Sequence, residues 1–249
     1  MSIKNKLNKV LRRFNVELHG TGYLQSLAKG EFKKNEFNFF KEFYGAQQIV
    51  IFDVGANRGH TISRFFELFP TAKIFAYEPI SLLCNELQIR FKNNQQLILE
   101  CCGIGQVTGE MNFYINKSLD TSSFLPSKKT GLNSDAQVQT IDEVMVPVKT
   151  IDNCFKEQNL SAIHILKLDI QGGELKALHG ASHLLAEKKI GLIYTEAYFV
   201  QQYVDQPLFY DIALFLQSFG YVLQDIYNPI YGKNKLAWCD AVFILKELK

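Results

Sequence analysis

The chain has 249 residues, 47% of them hydrophobic, with 20 Phe and 11 Tyr. That is enough apolar material for a substantial core and excludes global disorder. The formal net charge of +2 argues neither for nor against a nucleic-acid partner, but residues 1–34 carry eight Lys or Arg against two Glu, a net of +6 that leaves −4 on the rest.

Within the first 30 residues Leu7, Val10, Leu11 and Phe14 fall at helical spacing among basic residues. The expectation is a basic helical segment, 1–30, appended to a domain spanning 31–249. A basic amphipathic face suits peripheral contact with an anionic membrane surface or a glycan. No apolar run is long enough for a membrane span and no cleavable leader is evident, so the expected location is cytoplasmic. The five cysteines, Cys84, Cys101, Cys102, Cys154 and Cys239, show no metal-ligand spacing and read as reduced thiols, mostly buried.

From Ile49 onward the pattern alternates between strand and helix. Ile49–Phe52 is an apolar strand that ends at Asp53 and runs into a turn with Gly55, Ala56, Asn57 and Gly59. Ile62, Phe65, Phe66 and Phe69 then form a helical stripe closed by Pro70. Lys73–Tyr77 is a second strand, ending at Glu78, followed by a helix bearing Ile80, Leu83, Cys84, Leu87 and Phe91. Leu97–Cys102 is a third apolar run. Residues 106–125 read as a hairpin-like insertion, and 126–145 as a polar, mobile loop. A short strand at 146–149 leads into a helix. Ile163–Leu168 is a strand stopping at Asp169, with one helix behind it carrying Leu175, Leu178 and Leu185. Gly191–Thr195 stops at Glu196. A last helix, 208–219, precedes two strands, 221–226 and 241–245, with no helix between them. Such an order predicts an α/β domain with a mostly parallel sheet covered on both faces and an antiparallel terminal hairpin.

In such sheets ligands bind beyond the carboxyl ends of the strands. Four of those ends carry an acid: Asp53, Glu78, Asp169 and Glu196. Glu78 suits the two hydroxyls of a ribose. A dinucleotide turn requires GxGxxG, and here Asn57 stands at the second glycine, which disfavours a pyrophosphate. S-adenosylmethionine carries a carboxylate for the main-chain N–H groups of the turn, and a cationic ammonium and sulfonium for Asp53 and Asp169. An NAD(P)-dependent oxidoreductase is the competing reading.

DVGANRG at 53–59, AYEP at 76–79, Ser122-Ser123, VKTID at 148–152, LKLDIQGGELKALHGA at 166–181, the Glu196 strand and CDAVFI at 239–244 resemble, in order, the FkbM family of S-adenosylmethionine-dependent O-methyltransferases. The 166–181 stretch is the specific part. Gln171 departs from it, since the family usually has Asp-x-Glu-Gly. The resemblance implies a class I methyltransferase fold, a Rossmann-like three-layer sandwich with a seven-stranded sheet whose last strand is antiparallel. It implies S-adenosylmethionine as cofactor and a hydroxyl acceptor on a sugar, glycan or related small molecule. Gln171 keeps open a third reading, a non-catalytic cofactor-binding module on the same fold.

The expected donor site is Asp53, Gly55, Ala56, Asn57, Gly59, Glu78, Cys102 and Asp169. Ser122 and Ser123 are expected to meet the acceptor, and the aromatics after Glu196 to form a platform for a sugar ring. Removing the hydroxyl proton calls for a base, and Asp169, Glu196 and His60 are the candidates. His179 and His183 lie four apart without a third ligand, so no metal is expected. No Asn/Asp-Pro-Pro-aromatic motif for a flipped base is present, so no nucleic-acid substrate is expected.

Overall fold

The computed structural model describes residues 35–128, 138–232 and 235–248. The basic segment expected over 1–30 lies outside them, as do residues 129–137 of the expected loop.

Helix α1 (Glu36–Tyr44) precedes β1 (Val50–Val54), α2 (His60–Leu68), β2 (Lys73–Tyr77), α3 (Ser81–Arg90) and β3 (Leu97–Glu100). Then come β4 (Gly103–Ile104), β5 (Gly109–Asn116), β6 (Thr140–Lys149), α4 (Ile151–Glu157), β7 (Ile163–Leu168), α5 (Glu174–His179) and α6 (Ser182–Ala186). The remainder is β8 (Ile190–Tyr198), α7 (Phe209–Ser218), β9 (Tyr221–Gly232) and β10 (Lys235–Leu245).

Seven strands form the main sheet in the order β3-β2-β1-β7-β8-β10-β9. The first five run parallel, and β10 enters antiparallel between β8 and β9. This is the class I methyltransferase sheet. Alternate residues of each strand are buried on opposite faces, which is why the strands read as unbroken apolar runs. Phe52, Phe75, Leu166, Ile193 and Phe243 pack on the side that includes Leu178, Leu185 and Leu216. Ile51, Ile74, Ile165, Leu192 and Val242 pack against Phe40, Ile62 and Phe65 on the other. Among the described residues no helix is long and apolar enough to cross a membrane.

The structure corrects three expectations. Residues 140–145 are strand, not loop: they extend the expected strand at 146–149 into β6, the middle strand of a second, three-stranded sheet, β4-β6-β5. Val144 and Val146 register with Phe113 and Met111 and belong to a small apolar core, while Ile141 and Met145 face solvent. That exposed apolar pair hid the alternation. The hairpin placed within 106–125 is instead β5 paired with β6, supplemented by a return of Ser123 to Tyr114. The helix after Asp169 is two short helices, because the Asp152 carboxylate accepts from His183 N (3.2 Å) and Leu184 N (3.1 Å) and so starts α6 afresh.

The thiols also differ from expectation. Cys84 and Cys101 form a disulfide with Cα atoms 5.7 Å apart, tying α3 to the end of β3. Cys102, Cys154 and Cys239 are free and buried. Packing α3 against β3 brings the pair together, which no local spacing revealed.

Candidate active site

The turn after β1 is held by its own hydrogen bonds. Gly55 N and Ala56 N both donate to Tyr77 O (3.0 and 3.1 Å), Gly59 N donates to Ala56 O (2.8 Å), and Asn57 N donates to Glu78 Oε2 (2.8 Å). Those four N–H groups are therefore spent inside the protein. This corrects the expectation that these N–H groups receive the ligand's carboxylate, and it leaves the same four no part in a pyrophosphate cradle. The two glycines serve packing. A Cβ on Gly55 (φ 78°) would lie 2.0 Å from Asp169 O, and one on Gly59 (φ 75°) 2.6 Å from Leu87 Cδ2. Of the expected donor residues on the turn, Gly55, Ala56 and Asn57 line the site and Gly59 does not.

The site is a cavity of about 350 Å³ beyond the strand ends, which Glu78, Asp169 and Glu196 also line. Asp53 does not line it. It is fully buried behind the turn, with Oδ1 3.0 Å from Lys167 Nζ and Oδ2 without a hydrogen-bond partner among the described residues. Lys167, itself almost fully buried, also donates to Gly55 O (2.8 Å) and stands 3.8 Å from Asp169 Oδ2. Burial pushes the Asp53 carboxyl up against the pull of Lys167. Burial also opposes the Lys167 charge, but Asp53 and Asp169 outweigh it and hold the ammonium charged. A buried ion pair thus joins the ends of β1 and β7, and its ammonium lines the cavity.

Glu78 is buried, and its oxygens accept Asn57 N and Ile80 N (2.9 Å). Burial raises its pKa and the two N–H groups oppose the rise. Tyr77, Ile80, Leu83, Cys102, Gly103, Phe113 and Phe124 give the cavity beside it an apolar wall. His60 and Thr61 open α2 at the cavity, and Asn57 Nδ2 reaches across to Asp120 Oδ1 (3.1 Å) of the second sheet's loop.

Of the serines, Ser122 lines the cavity and Ser123 does not. The Ser123 hydroxyl is fully buried, donating to Gln171 O (2.7 Å) and accepting from Leu125 N (2.9 Å). The aromatic platform is absent from the cavity as well. Phe199 stacks on Phe209 with an interplanar angle of 18°, and Tyr198 and Tyr203 are buried with their hydroxyls on Gln171. Among the described residues no three His, Cys, Asp or Glu side chains converge to hold a metal ion.

Two supporting residues escaped the sequence reading. Lys167 sat unnoticed in an apolar strand, though a lone Lys among buried positions signals a buried partner. Glu174 is buried at the start of α5. Its Oε1 accepts Ile170 N (3.0 Å) and Gly172 N (3.1 Å), bracing the turn that carries Asp169 and Gln171, and burial pushes its pKa up to about 7.

Residues 53–223 match the family model described as the methyltransferase FkbM domain. The chain belongs to the FkbM methyltransferase domain family. The FkbM chain is 26% identical over 166 residues to the 2-O-methyltransferase NoeI of Sinorhizobium fredii, covering 64% of its own length and 65% of that protein. It is 29% identical over 154 residues to methyltransferase sdnD of Sordaria araneosa, covering 52% and 59%. In each case it spans less than two thirds of the relative. Among solved structures, magnesium protoporphyrin IX methyltransferase (ChlM) of Synechocystis PCC 6803 aligns with a TM-score of 0.47 at 10% identity, covering 99% of this chain and 98% of that one.

The cavity fits S-adenosylmethionine. Each Glu78 oxygen keeps a lone pair beyond its main-chain bond for a ribose hydroxyl. The apolar wall suits an adenine. Lys167 and the first turn of α2 offer positive charge to a carboxylate, and Asp169 and Glu196 offer negative charge to a cation.

Proposed function

We propose that this domain transfers a methyl group from S-adenosylmethionine to a hydroxyl of a sugar, glycan or related small molecule. The observation that carries the proposal is the grouping of Glu78, Asp169 and Glu196 on one cavity with an apolar wall at one end. Glu78 stands at the nucleoside end, which leaves two acids for the reacting end. The cavity lining also includes the polar Asn57, Arg58, His60 and Asp120, which suit a hydroxylated acceptor. The 2-O-methyltransferase name of one relative agrees with transfer to oxygen.

Bound S-adenosylmethionine supplies an electrophilic methyl group. The protein's share is to align an acceptor oxygen with it, exclude water and remove a proton. An NAD(P) reading fares worse, because Gly55, Ala56, Asn57 and Gly59 have no N–H free for a pyrophosphate.

Calorimetric titration with S-adenosylhomocysteine and with NADH tests the donor. Tight binding of NADH alone would overturn the proposal. Incubation with tritiated S-adenosylmethionine and a pool of methyl glycosides tests the acceptor class, and label appearing only in non-carbohydrate hydroxyl compounds would reassign it.

A further inference from the structure

Gln171 replaces a residue that would carry charge, and its hydrogen bonds show what the amide does. The carboxamide nitrogen donates to Asp169 Oδ1 (3.0 Å) and Glu196 Oε2 (2.8 Å). The carboxamide oxygen accepts from the Tyr203 hydroxyl (2.9 Å) and lies 3.1 Å from the Tyr198 hydroxyl, whose single proton goes to the nearer Glu196. A flipped amide would set its oxygen against two carboxylates, so only one orientation is viable. The main chain beneath is pinned too: Gln171 has φ 56°, and Ser123 holds its carbonyl.

The two acids on this amide are not equivalent. Glu196 Oε2 also accepts from Tyr198 (2.7 Å), so that oxygen is well supplied with donors. Its Oε1 has no hydrogen bond among the described residues, and the side chain lines the cavity. One oxygen is anchored, and the other is left in a fixed direction. Asp169 is 46% exposed and shares its charge with Lys167. His60 is exposed, with no described hydrogen bond to orient its ring.

We propose that Glu196 is the base that takes the acceptor hydroxyl's proton through Oε1, and that Gln171 is the positioning residue that aims it. This rests on the methyl-transfer reading above. As the acceptor oxygen bonds to the methyl carbon, the carbon–sulfur bond breaks and its electron pair stays on sulfur, while the O–H proton passes to Glu196. A Glu at 171 would put a third carboxylate between Asp169 and Glu196; the amide is neutral and donates to both.

Glu196 is faced by the carboxylates of Asp169, Glu174 and Asp240, by the phenols of Tyr198 and Tyr203, and by the Cys239 thiol. Burial pushes its carboxyl well above the usual range, and Asp169 and Glu174 add to the rise. Such a group holds a proton tightly once it has taken one.

Carbon-13 NMR titration of the glutamate side chains in the S-adenosylhomocysteine complex tests this without an acceptor, with the Glu196 signal identified by its loss in Glu196→Gln. Glu196 is expected to titrate above the ordinary value of about 4.3, and Gln171→Met to raise it by a further ~0.5 unit or more through loss of a donor. Gln171→Glu, close in size to the native residue, is the second variant and raises it by repulsion. Glu196→Gln is expected to cut tritiated methyl transfer into methyl glycosides by about 100-fold or more, with affinity for S-adenosylhomocysteine within about tenfold. Titration at about 4.3 that ignores both Gln171 variants would overturn the assignment. So would a Glu196→Gln variant that binds S-adenosylhomocysteine and transfers at the wild-type rate. A wild-type chain that binds no S-adenosylhomocysteine instead overturns the donor reading itself.

Discussion

Gly55→Ala tests the claim that this glycine exists for the protein and not for the ligand. An added Cβ would sit 2.0 Å from Asp169 O, 3.0 Å from Asp169 C and 3.1 Å from Ile170 Cγ2. An ordinary carbon–oxygen contact is about 3.3 Å, so the ends of β1 and β7 must part by roughly 1 Å. Parting them strains the Asp169 N to Val54 O bond (3.1 Å) and the Lys167 Nζ to Gly55 O bond (2.8 Å). The left-handed backbone costs about 1–2 kcal/mol, the overlap about 1–3 and a lost hydrogen bond about 1. The expected loss is ~3–6 kcal/mol, a large part of a domain stability of about 5–15 kcal/mol. Gly45→Ala is the control, since Gly45 has φ 59° and nothing within 4 Å of an added Cβ. It bears only the backbone term, about 1–2 kcal/mol. Urea unfolding of both variants at unchanged m measures the difference. Equal losses in the two would refute the packing role of Gly55.

Lys167→Met leaves the Asp53 carboxylate buried without its partner and is expected to cost about 3–5 kcal/mol. Adding Asp53→Asn should recover much of that, and a double variant losing the full sum of the singles would show the pair uncoupled. Dithiothreitol should lower the melting temperature of the wild type, because the Cys84–Cys101 link closes a segment with a sequence separation of 17. The loss is about 3 kcal/mol, and the Cys84→Ser, Cys101→Ser double variant should not respond to the reductant. Asp240 has its pKa pushed up to about 6 by burial, with the charges of Asp169 and Glu36 adding and hydrogen bonds from Asn228 and Tyr194 opposing. Its folded value lies above the unfolded value of about 3.9, so its contribution is whole at low pH and is lost as pH rises through 6, by at most about 3 kcal/mol. Asp240→Asn should flatten stability between pH 4 and 6, as read by urea unfolding at several pH values.

The main sheet was largely legible because its strands are buried on both faces, so runs such as Ile163–Leu168 announce themselves. The first part of β6, residues 140–145, was not, because only one of its faces meets a core and Ile141 and Met145 put apolar side chains on the other. At the site, the sequence placed acids at strand ends but not their depth. Asp53 and Glu78 look alike in the chain, yet Lys167 neutralises one behind the turn while the other lines the cavity. Hydrogen-bond use was illegible altogether. Nothing in the string DVGANRG tells that Tyr77 O and Glu78 claim its N–H groups, because both lie on the neighbouring strand. The same holds for the Cys84–Cys101 link and for the tyrosines, which read as a ring platform and instead deliver hydroxyls to Gln171 and Glu196.

The position of β10 bears on how the molecule is made. It lies inside the sheet, between β8 and β9, with Asp240 in register with Glu196. During synthesis the β8 edge that β10 covers, with Leu192, Ile193 and Tyr194, stays unpaired until β10 has left the ribosome. An open apolar edge of that kind is a template for other chains. Truncation short of Asp240 should therefore yield aggregate and not a smaller enzyme, and the wall that holds Glu196 is the last part of the site to be completed.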